Sequence, residues 1–157
     1  MSDGFGEQVR NAMEQGRRVQ EAVQQITLKA LTQRQLDFDA MRKVTREAID
    51  AVRETAATQG AGVGEAARQA VAGVDQALAK AAEAVKLSLQ EAGSRMEKFS
   101  SEDLAKARAD LADTEKMFVE TLSGAARTAQ GAARATFEDL ARHAQASGTA
   151  VGRQLRE

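Results

Sequence analysis

The sequence contains no cysteine, proline, tryptophan or tyrosine, and a single histidine. Without cysteine there is no disulfide and no thiolate chemistry, and the expected compartment is a reducing one, the cytoplasm. One histidine without cysteine excludes every two-histidine or thiolate metal site, so no metal and no cofactor is expected. Five phenylalanines are the only aromatics, too few to build a platform for stacked bases. Charge of one sign is also missing: 22 Lys and Arg are interspersed with 23 Asp and Glu. No basic block favours nucleic acid. No run of about 18 apolar residues exists, so no transmembrane helix is expected. The start, MSDGFGEQVR, has no apolar stretch of the kind a secretory signal needs.

What is present favours helix. Ala, Gln, Glu, Arg and Lys dominate, all good helix formers. No segment alternates with the period of a strand. The expected fold class is therefore all-α. Its core is expected to be thin. Of the apolar residues 33 are alanine, which leaves 34 large ones, about 22% of the chain. Either long helices share weak apolar stripes, or those stripes cover an outside surface.

Spacing predicts three long amphipathic helices in one elongated domain, folded up-down-up. The first covers about residues 5–58, as one helix or as two with a kink. Val9, Met13, Val19, Val23 and Ile26 begin its stripe, and Phe38, Met41, Val44, Ala48 and Val52 continue it. Gly6 and Gly16 weaken its early turns. TQGAGVGEA follows, where Gly60, Gly62 and Gly64 give enough backbone freedom for a hinge. The second helix covers about 65–98, with Val71, Val74, Leu78, Ala81, Val85, Leu89, Ala92 and Met96 stepping by three and four. KFSSEDL then reads as a stop and a restart. Ser100 is the expected N-cap and Asp103 the acidic partner at N3, while Phe99 and Leu104 pair as a hydrophobic staple. So short a connection joins antiparallel neighbours. The third helix covers about 101–146. Leu104, Leu111, Phe118, Leu122, Ala125, Ala129, Ala132, Thr136 and Leu140 share its broad face. The remainder, 147–157, reads as a frayed tail or a short extra turn.

Candidate chemistry is sparse. His143 lies four residues after Asp139 and reads as a histidine near a helix C-terminus rather than as an Asp-oriented base. Glu47, Asp50 and Glu54 line one helix face, but Arg46 and Arg53 flank them, so a salt-bridged surface is the expectation. The three glycines lack the preceding strand and the Lys-Ser/Thr pair of a phosphate loop. No catalytic residue is nominated, and the protein is not expected to be an enzyme.

The stretch AVKLSLQEAGSRMEKFSSEDLAKARADLADTEKMFVETLSGAARTAQGA, residues 84–132, resembles the phasins, bacterial proteins that coat polyhydroxyalkanoate granules. The resemblance lies in helix order: an amphipathic helix with Leu87 and Leu89, a Ser-plus-acid junction, then a Leu- and Phe-bearing helix that fades into alanine. It covers about a third of the chain and carries no catalytic motif. The segment LARHAQASGTAVGRQ, residues 140–154, is similar to a stretch of uncharacterised proteobacterial helical proteins, which implies no function.

The resemblance implies a non-catalytic amphipathic coat on an apolar storage granule. Val71, Val74, Leu78, Val85, Leu89, Leu104, Leu111 and Phe118 are the expected surface- or partner-binding stripe. With so few large apolar residues, homo-oligomers are also expected. Two alternatives use the same sequence: a helical adaptor or oligomeric scaffold for a protein partner, and a stress-protective chain that folds conditionally.

Overall fold

In the computed structural model, which describes residues 3–16, 18–33, 38–59, 64–94, 101–129 and 131–156, the protein is all-α. The described residues form eight helices: α1 (Asp3–Gln15), α2 (Val19–Thr32), α3 (Phe38–Gln59), α4 (Gly64–Ser94), α5 (Ser101–Ala112), α6 (Thr114–Thr128), α7 (Gly131–Ser147) and α8 (Ala150–Arg156). Of the three long helices expected from spacing, the first and third are divided further, whereas α4 runs unbroken from Gly64 to Ser94.

Each described break has a local cause. Gly16 has φ 70° and Arg18 φ 49°, both left-handed, so the chain leaves the helical path between α1 and α2. The two helices pack on each other. The described residues of the first segment thus form three helices, α1 to α3. Between α5 and α6 only Asp113 interrupts, and its carbonyl still accepts from the Met117 N–H at 2.9 Å. Ala129 turns extended at ψ 156° and ends α6. Gly148, at φ 84°, ends α7, and its N–H donates to the Ala144 carbonyl at 3.0 Å.

The longest helix, α4, spans about 46 Å. It packs against α2 above all, and also against α8, α3, α5, α7 and α1. The α2 contact is close because Gly73 has no side chain. A Cβ there would lie 2.9 Å from the Gln24 backbone nitrogen and 2.5 Å from the Gln20 carbonyl oxygen. Alanine dominates the buried face of α4, where Ala67, Ala70, Ala77, Ala81 and Ala82 accompany Val71, Val74 and Leu78. Small residues draw the helices together but bury little area each. The bulk comes from elsewhere: Val19, Val23 and Leu31 on α2, Val44, Ile49 and Val52 on α3, Phe118 and Leu122 on α6, and Phe137 on α7.

The C-terminal residues fold back rather than fray. α8 lies on α4, and its first amides are all satisfied. The Ala150 N–H donates to Asp75 Oδ2 at 2.7 Å, the Val151 N–H to Asp75 Oδ1 at 2.9 Å, and the Gly152 N–H to Thr149 Oγ1 at 2.9 Å. Thr149 is the side-chain cap of α8 and also donates to Glu115 Oε2 at 2.7 Å. One carboxylate on α4 thus fixes a helix that begins 75 residues later.

Candidate functional site

The expected stripe divides in the structure. Val71, Val74 and Leu78 are buried in the core, and so is Phe118. They hold the bundle together and are not available to a surface while it is closed. Val85 and Leu111 are half-buried. The side chains of Leu89, Leu104 and Asp103 lie outside the described residues, as do Phe99, Ser100, Gly60 and Gly62. Gly64 is the first residue of α4.

Beyond Ala82 the character of α4 changes. Between Glu83 and Asp113 no described residue is buried. The helices α4 and α5 pack on each other, and this part of α4 together with α5 is termed the arm. Leu87 lies on it and is 59% exposed, the one exposed large apolar side chain among the described residues. Its described charges are mixed in sign: Glu83, Lys86 and Glu91 on α4, Lys106, Arg108 and Asp110 on α5.

The chemistry-bearing candidates stay apart. His143 is exposed, and the Asp139 carboxylate beside it engages Arg68 at 3.5 Å and Arg142 at 3.4 Å instead. Asp50 pairs with Arg53 at 3.5 Å, while Glu47 is half-buried and Glu54 exposed. No cluster of metal-ligating side chains occurs among the described residues. No helix among them is long and apolar enough to cross a membrane.

Two features escaped the sequence reading. One is Asp75, whose carboxyl burial raises above its ordinary range. The Val151 and Ala150 N–H donors and the charge of Arg153 oppose that shift, and Glu115 adds to it. An acid within the apolar run VAGVDQAL was its signal in the sequence. The other is an open groove between α3 and α6, about 840 Å³ in volume, with Arg42, Arg46, Arg53, Lys116 and Arg127 around it. Its residues lie far apart in sequence, and only the packing of α3 on α6 brings them together.

A family model matches residues 2–157, nearly the whole chain. The protein belongs to that family, a family of unknown function (DUF6781). No curated protein and no solved structure matches the chain. No match to phasins accompanies the family match, so the resemblance over residues 84–132 rests on helix order and composition alone. Membership in DUF6781 brings no catalytic or binding residue with it.

Proposed function

We propose that the protein is a non-catalytic helical coat or scaffold protein that lays its α4–α5 arm on an apolar surface of the storage-polymer kind, in the manner of a phasin. The observation that carries this reading is the arm, where no described residue between Glu83 and Asp113 is buried and where Leu87 is exposed. Arm and phasin-like stretch overlap from residue 84 onward. In this reading Val85 and Leu87 meet the surface, while Leu111 packs against the core and Val71, Val74, Leu78 and Phe118 keep the bundle closed behind them. Self-association on that surface and a cytoplasmic location belong to the same proposal.

The test is co-sedimentation of the purified protein with polyhydroxybutyrate particles, with anionic liposomes as the control. Saturable binding to polymer and not to liposomes is the expected result. Absence of binding to both, from a helical and oligomeric protein, would overturn the coat reading in favour of a scaffold for a protein partner.

A further inference from the structure

The turn between α7 and α8 is a two-residue interruption of what is otherwise one helix. The Gly148 N–H still donates to the Ala144 carbonyl at 3.0 Å, so the hydrogen-bond ladder of α7 runs up to it. One residue later the Thr149 carbonyl accepts from the Arg153 N–H at 3.0 Å, which begins the ladder of α8. What diverts the chain is the left-handed backbone of Gly148, at φ 84°. Gln145, Ala146 and Ser147 before it are exposed, so this end of α7 lies at the surface. α8 itself packs on α4 and α6.

The amides at this turn have a second set of acceptors within reach. As folded, the Ala150 and Val151 N–H groups donate to Asp75 and the Gly152 N–H to Thr149 Oγ1. With Gly148 and Thr149 in right-handed helical dihedrals, the same amides would meet the carbonyls of Ala146, Ser147 and Gly148, four residues back. Both arrangements satisfy the backbone. The residue that must rotate between them is a glycine, which adopts either hand at no steric cost. Burial of Val151 and of part of Leu155 favours the docked arrangement, as does the Arg153 charge near Asp75. Burial of the Asp75 carboxylate opposes it, and so does the charge of Glu115 on α6.

We propose that α8 is a latch with two states: docked on α4, or released by straightening at Gly148 into one helix continuous with α7 over residues 131–156. The continuous helix would be about 39 Å long. Release carries Val151 and Leu155 away from the core and uncovers the part of α4 around Asp75. It therefore displays apolar surface that the docked state hides. The latch is independent of the arm and uses none of its residues.

The test uses the absence of cysteine from the chain. Val151→Cys on α8 and Val52→Cys on α3 each place a single thiol at a fully buried position. Its rate of reaction with a thiol reagent reports how often that position opens. If Val151→Cys does not fold, as judged by circular dichroism, Leu155→Cys takes its place. In dilute buffer the α8 thiol is expected to react about tenfold faster or more than the α3 thiol, with a weaker dependence on urea, because local opening suffices to expose it. Gly148→Ala disfavours the left-handed turn and favours helix, and is expected to speed reaction of the α8 thiol about tenfold or more. Gly148→Asn, which tolerates the left-handed backbone, is expected to speed it by less. In the cysteine-free double variant Asp75→Ala, Gly148→Ala, the Cα chemical shifts of residues 148–149 are expected to be helical. Equal rates and equal urea slopes for the two thiols would overturn the proposal, since α8 would then open only with the whole bundle. So would a rate in Gly148→Ala no higher than in Gly148→Asn. Coil shifts at 148–149 in the double variant would also overturn it, for α8 would then fray without joining α7.

Discussion

Asp75 accepts from two backbone amides at the start of α8 and so acts as a cap supplied from another helix. Asp75→Ala leaves both N–H groups without an acceptor. Its expected cost is about 2 kcal/mol in urea denaturation. The pH dependence follows from the raised carboxyl. The folded state holds the proton more tightly than the unfolded chain, so this group favours folding at low pH. That contribution is lost as pH rises from the ordinary carboxyl value through the raised one. Asp75→Asn does not titrate. The stability of the wild type relative to Asp75→Asn is therefore expected to fall across that window and then level off, as read from melting curves at stepped pH. Gly73 is the second residue with a sharp role. Gly73→Ala would improve helix propensity, but its Cβ would press on the α2 backbone, which has no flexible side chain to move aside. A net loss of about 1–3 kcal/mol is expected, measured the same way.

At the level of elements, helical character was legible throughout because it depends on composition and on local period. The α4 face from Val71 to Leu78 was legible for the same reason. The helix breaks were less so. Gly16 was visible as a weak point, but the left-handed Arg18 beside it has no sequence signature. On α7 the expected Thr136 and Leu140 are half-buried, whereas Ala133, Phe137 and Ala141 are buried. The expected face runs across Ala129, where the chain turns extended, and α7 starts at Gly131 with a new phase. The groove between α3 and α6 was illegible because it depends on tertiary packing. The arm is the element that the proposed function depends on. Leu87→Glu is expected to change stability by no more than about 0.5 kcal/mol, since the side chain is exposed. It is expected to weaken co-sedimentation with polymer particles about tenfold or more, the scale of one large apolar side chain removed from contact. Phe118→Asp offers no such test, because Phe118 is buried and its loss would disrupt the bundle.

For the whole molecule, the long helix α4 joins a closed bundle to the arm on which Leu87 is exposed. Its first half is buried among α2, α8 and the other core helices, and its second half carries Leu87. The C-terminal helix adds to the closed part, where Asp75 holds it. In the proposed function, the arm seats on a surface without rearrangement of that core. Hydrogen exchange by mass spectrometry, on free protein and on protein bound to polyhydroxybutyrate particles, tests this most directly. The expected result is new protection confined to residues 83–112, with the amides of α2, α3 and the first half of α4 unchanged. Unchanged exchange in the arm, or protection elsewhere with loss of protection in the core, would contradict it.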